Sequence, residues 1–212
     1  MRHLAFCSVV VVVMLVAAQA TAGPLGKGIK AGITYTQVTN DILGDSDHTM
    51  GFAAGFTLNY QLAPGIAVQP EVLYVQQGGK YDVLIADQGV PIGRAELTWD
   101  LDYVQVPVLA RVSLPVIGSF LPSIVVGPAL AFKVSSEFSR ESGDVELETG
   151  ELEDIGSTDL SLIAGVAFKI GAGPAGVTVD ARYNLGLSNV YDGDGTAEIK
   201  NRGFQVLAGI AF

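Results

Sequence analysis

Along most of the chain apolar and polar residues alternate with a period of two, the period of a strand that shows one face to each side of a sheet. From Val177 the apolar set runs Val177, Val179, Ala181, Tyr183, Leu185 and Leu187, opposed by Thr178, Asp180, Arg182, Asn184, Gly186 and Ser188. The split recurs in Phe52, Ala54, Phe56, Leu58 and Tyr60, and again in Val68, Pro70, Val72 and Tyr74. It returns in Val104, Val106, Val108, Ala110 and Val112, and in Phe204, Val206, Ala208, Ile210 and Phe212. The pattern predicts eight strands, at residues 27–37, 50–62, 66–79, 98–113, 122–136, 159–171, 176–188 and 201–212. Connection lengths alternate too. Those near 38–49, 80–97, 137–158 and 189–200 are long, polar and acidic, while Ala63-Pro64-Gly65, the segment around Gly118, and Gly173-Pro174 are short.

Two apolar stretches depart from this rhythm. Arg2 and His3 precede an apolar run from Leu4 to Ala18, followed by Gln19, Ala20, Thr21, Ala22 and Gly23. That is the order of a secretory signal peptide, with cleavage after Ala20 or Ala22. The run is shorter than the roughly 20 residues a membrane helix needs. The expected division is a signal peptide at 1–22 and one barrel domain at 23–212. The second stretch, Val112 to Phe132, carries no charge and is long enough for a membrane helix. Pro115, Pro122, Pro128, Gly118 and Gly127 would break such a helix and instead suit two strands joined by a turn.

An even number of strands, with short turns at one end and long loops at the other, predicts an all-β fold: an eight-stranded antiparallel up-and-down transmembrane β-barrel. Both termini would be periplasmic and four acidic loops would lie outside. Alternation alone leaves open a soluble lipocalin-like barrel with its apolar face inward. Three features favour the apolar face outward. The polar set is rich in Gly, Ala, Ser and Thr, small enough to fill an eight-stranded interior. Its charged members, Lys30, Glu71, Arg111, Lys133, Lys169, Asp180 and Arg182, include both signs and so can pair in an enclosed space. Aromatic residues fall towards strand ends, at Tyr35, Phe52, Tyr60, Tyr74, Tyr103, Phe168, Phe204 and Phe212, as in an interfacial girdle. Composition narrows the rest. In 212 residues, 49% are hydrophobic and the net charge is −10, which excludes a disordered chain. The 12 basic residues are scattered singly, so no nucleic-acid partner is expected. The one cysteine, Cys7, lies in the leader, which leaves the mature chain without a disulfide or thiol nucleophile.

Six stretches in order carry a resemblance: GIKAGITYT at 28–36, QPEVLYVQQGGKY at 69–81, LDYVQVPVLAR at 101–111, VGPALAF at 126–132, VDARYNLGLSNV at 179–190 and NRGFQVLAGIAF at 201–212. With them the chain resembles the porin-like outer-membrane β-barrel family, the small eight-stranded type of Gram-negative envelopes. The resemblance covers nearly all of the mature chain. It implies an outer-membrane location, contact with membrane lipid and lipopolysaccharide, and a C-terminal aromatic, here Phe212, read by the barrel-assembly machinery. It does not fix an activity.

Candidate chemistry is sparse. Some eight-stranded outer-membrane barrels are lipid-modifying enzymes, but His3 leaves with the leader and His48 has only its sequence neighbours Asp45, Ser46 and Asp47 as partners. Adjacent residues usually point apart, so no triad and no enzymatic activity is expected. No cofactor or metal site is expected either. Asp192-Gly193-Asp194-Gly195-Thr196 alternates carboxylates as calcium loops do, yet lacks the closing Glu and reads as a turn. The third loop holds Glu137, Glu141, Asp144, Glu146, Glu148, Glu151, Glu153 and Asp154 against Arg140, a hydrated acidic tip. Divalent cations could bridge it to lipopolysaccharide phosphates. Glu71, Arg111, Asp180 and Arg182 fall on the inward set and are expected to pair across a narrow lumen and close it. The function expected is structural or surface-interacting, with the acidic loops offered to a surface ligand. The competing readings are a small-solute porin or transport protein and a periplasmic ligand-binding barrel.

Overall fold

The computed structural model describes residues 25–40, 44–87, 90–142, 145–151, 156–171, 175–189 and 199–212. Among the described residues every regular element is a strand: β1 Leu25–Asn40, β2 Gly44–Asp45, β3 Asp47–Ala63, β4 Ile66–Asp87, β5 Val90–Ser113, β6 Phe120–Ser142, β7 Val145–Glu151, β8 Thr158–Ile170, β9 Gly176–Gly186 and β10 Ile199–Ala211. Eight of them form one closed antiparallel barrel in the order β1-β3-β4-β5-β6-β8-β9-β10, and β10 returns to β1. The seam is complete along its length, from Asn40 opposite Ile199 to Gly28 opposite Ala211. Lys27 and Phe212 then exchange two further backbone hydrogen bonds, 2.9 and 2.8 Å long. No edge is left exposed to lipid, which is what a spanning sheet requires. The expected leader and the Asp192 to Thr196 loop lie outside the described residues.

Alternation places the faces as expected. Ile29, Ile33, Phe52, Phe56, Ile124, Val126, Val166, Phe168, Val177, Val179, Val206 and Ile210 are all exposed and point outward as an apolar belt. Buried large aliphatic residues are fewer, and the inward set is dominated by small and polar side chains. Aromatic pairs lie on the outer surface, Phe52 with Tyr74 at 5.4 Å and Tyr183 with Phe204 at 4.9 Å between ring centroids. Tyr103 is an exception to the expected girdle. It is on the same parity as Gln105 and is completely buried in the lumen.

The long connections differ most from expectation. The segment 80–97 is a continuation of the β4–β5 ladder, which runs on to Asp87 opposite Val90. Much of 137–158 is strand as well, because β6 extends to Ser142 and folds back as β7. Polarity there marks where the sheet leaves the hydrocarbon, whereas backbone hydrogen bonding continues into water. The short connections sit together at the opposite end. Gly65 (φ 77°) and Gly118 (φ 61°) turn two of them in the left-handed region that glycine occupies without strain.

Candidate functional site

Inward side chains from β1, β4 and β9 meet near the middle of the lumen. Lys30 on β1 stands in register with Gly55 of β3 and Gly209 of β10, and Arg182 on β9 with Gly165 of β8. These glycines make the room. A Cβ on Gly209 would lie 2.8 Å from the Lys30 Cγ, and one on Gly165 would lie 3.1 Å from the Arg182 Cγ. Long charged stems therefore lie along the wall and carry their heads to the axis.

There the heads form a four-residue network. Arg182 donates from Nη1 to Glu71 Oε2 at 2.5 Å and from Nη2 to Oε1 at 2.8 Å, a bidentate fork across the lumen. Its Nη2 also donates to Asp180 Oδ2 at 3.2 Å. Lys30 Nζ donates to Glu71 Oε1 at 3.0 Å and to Asp180 Oδ2. Gln69 adds a further hydrogen bond to Glu71 Oε1 at 2.7 Å. Two cations and two carboxylates cancel. All four side chains are almost wholly buried, and in so dry a setting the cancellation is what makes burial tolerable.

Of the four residues expected to close the lumen, Glu71, Asp180 and Arg182 are brought together, while Arg111 stands apart. Its Nη1 donates to Gln69 Oε1 at 3.0 Å and its Nε to Ser123 Oγ at 3.2 Å. Gln69 therefore lies between Arg111 and Glu71, and the direct pairing expected of neighbouring strands does not form. The member that sequence reasoning left out is Lys30. It belongs to the inward charged set, but only barrel closure brings the first strand within two strands of β9.

Above the network, towards the long hairpins, the lumen holds a polar layer and then an apolar one. Gln205 Nε2 reaches Gln105 Oε1 at 3.5 Å, and Asn201 donates to Asp159 Oδ2 at 3.1 Å and to Tyr103 Oη at 3.4 Å. Higher still, buried Val38 and Ile199 pack against Trp99, which meets Tyr81 edge-on at 5.5 Å. Tyr81 donates its hydroxyl to the Val38 carbonyl at 3.3 Å. Below the network, at the short-turn end, lies a cavity of about 700 Å³ bordered by Arg111, Lys30, Lys169, Gln69, Thr178 and Ser113.

The Asp45 to His48 run separates in space. Ser46 is buried and its Oγ accepts from Val38 N at 2.8 Å. The His48 ring stacks on the exposed Tyr35 at 4.4 Å. On β6 and β7 the backbone register sets Glu137 opposite Glu151 and Glu141 opposite Glu146. Among the described residues no group of three or more His, Cys, Asp or Glu is placed to hold a metal ion.

The family described as "Outer membrane protein beta-barrel domain" matches residues 17–192. Among solved structures, Ail, the attachment invasion locus protein of Yersinia pestis, is 16% identical, covering 91% of this chain and 100% of its own, with a TM-score of 0.43. Neisserial surface protein A is 14% identical over 87% of this chain and 95% of its own, with a TM-score of 0.45. The outer-membrane protease OmpT of Escherichia coli is 10% identical over 92% and 99%, with a TM-score of 0.46. No curated protein sequence matches the chain.

Proposed function

The chain belongs to the outer membrane protein beta-barrel domain family and is an outer-membrane protein; we propose that its role there is structural or surface-binding, without catalysis and with a lumen closed to solutes. The observation that carries this reading is the neutral network of Lys30, Glu71, Asp180 and Arg182, which joins β4 to β9 across the lumen. Eight strands enclose little more than their own side chains. A solute would have to part a bidentate ion pair and strand each charge in a dry interior, then displace the Val38, Ile199 and Trp99 cluster above it.

Surface binding has its support in the long ladders. From Tyr74 to Asp87 the β4 strand extends about 40 Å, at ~3.3 Å per residue, with β5 paired to it throughout that reach. A rigid paired hairpin of this length holds its tip clear of the lipid, where a ligand can reach it. Membrane lipid and lipopolysaccharide surround the apolar belt in this reading, and the assembly machinery engages Phe212. The non-catalytic part rests on the separation of the Ser46 hydroxyl, committed to the β1 backbone, from the His48 ring on the outer surface.

Planar-bilayer recording of the purified protein tests the closed lumen. Most inserted molecules should pass no steady current. Ohmic conductance from the majority would replace this reading with a transport function.

A further inference from the structure

The lumen is closed near its middle, so the cavity beneath the network is blind. In an outer-membrane barrel the short turns face the periplasm, and solutes can enter this cavity from that side alone. Its volume of about 700 Å³ is that of a small-molecule site. Among the described residues its lining contains Arg111, Lys27, Lys30 and Lys169 and no Asp or Glu.

Arg111 makes the site specific. It is only 8% exposed, and no carboxylate among the described residues forms an ion pair with it. Nearby Glu71 and Asp180 are both engaged by Lys30 and Arg182, and that group of four is already neutral. Hydrogen bonds from Nε to Ser123 and from Nη1 to Gln69 fix the plane of the guanidinium, and Nη2 makes no hydrogen bond among the described residues. A cation held rigidly, mostly out of water and without a counter-charge, is unfavourable until an anion reaches it. The same rigidity lowers the ordering cost when one arrives. Lys169 and Lys27 add positive charge at the same cavity, and Thr178 and Ser113 offer hydroxyls.

We propose that this blind periplasmic cavity binds an oxyanion, a carboxylate or phosphate group carried on a small organic body, with Arg111 as the residue that holds it. The cavity is too roomy for a bare ion to fill, and guanidinium geometry suits planar or tetrahedral oxyanions. The assignment uses the barrel orientation and the closed lumen of the proposed function, but its test does not depend on conductance.

Inorganic phosphate serves as the probe, titrated calorimetrically into the folded full chain in an uncharged detergent. Saturable binding is expected, at least tenfold weaker in Arg111→Gln and unchanged in Lys80→Gln, a charge of the outer hairpin. Should Arg111→Gln fail to show the heat-dependent mobility shift of a folded barrel, Lys169→Gln takes its place, and binding should again weaken. No saturable binding to the wild type, or equal affinity in the folded variants, overturns the proposal. Doping the micelles with phosphatidylglycerol separates two sources of the same chemistry. Competition with phosphate that depends on Arg111 points to a lipid headgroup, and its absence to a soluble solute; either upholds the site. A conducting protein that still binds phosphate refutes the closed lumen alone, while a silent one that binds none refutes the oxyanion site alone.

Discussion

Glu71 accepts from Lys30, Gln69 and both terminal nitrogens of Arg182, so its loss leaves two cations short of a counter-charge. Glu71→Ala should cost about 3–5 kcal/mol of unfolding free energy. Glu71→Ala/Arg182→Met removes one charge of each sign and leaves Lys30 with Asp180, so it should recover a large part of that loss. Urea titrations in micelles would show it, and a double variant no more stable than the single would mean that packing, not charge, holds the site. Asp100 poses the opposite problem beyond the apolar belt. Burial, then Asp102 and Glu137 nearby, push its carboxyl above the ordinary value, against the pull of Lys80. A carboxyl whose folded-state value is raised stabilises the fold at pH below the unfolded value, and this contribution is lost as pH rises through the folded one. Asp100→Asn should therefore raise the melting temperature at neutral pH and flatten its rise on acidification. Identical melting curves for variant and wild type, from about pH 7 down to about pH 4, would dismiss the crowding.

At the level of the strand, period two was enough to find all eight barrel strands and their outward faces, because lipid selects one face and lumen size the other. What it missed follows from the same physics. Polarity sets the loop bounds at 80–97 and 137–158, but a ladder continues wherever two polar segments keep pairing. A position towards the strand end puts Tyr103 in the aromatic girdle, although its parity with Gln105 sends it inward. Strand β10 carries a prediction of its own. Removing Phe212 takes away both hydrogen bonds to Lys27 at the short-turn end of the seam. The heat-shifted fraction in outer membranes should then fall several-fold, while Phe212→Tyr keeps it. An undiminished fraction after removal would deny Phe212 any part in assembly.

For the molecule as a whole, alternation with uneven connections made the closed barrel legible, but the contacts across its lumen were not. Glu71 and Arg111 share neighbouring strands and looked like partners, yet Gln69 intervenes, and Glu71 instead reaches Arg182 on the far wall. Register fixes which residues face inward. How far each side chain reaches depends on the inward glycines opposite it, Gly165 and Gly209 among them, which carry no charge or polarity to draw attention. The seam bears on time as well as on form. Strand β1 finds one of its two neighbours only when β10 arrives, after nearly all the intervening chain has been made and exported. Until then two rows of backbone groups lack partners, and hydrocarbon penalises each such group by several kcal/mol. Successive strands cannot each commit to the bilayer as they emerge. The membrane in effect proofreads the polypeptide for completeness, admitting it once the circle can close and leaving an interrupted chain outside, where proteases can remove it.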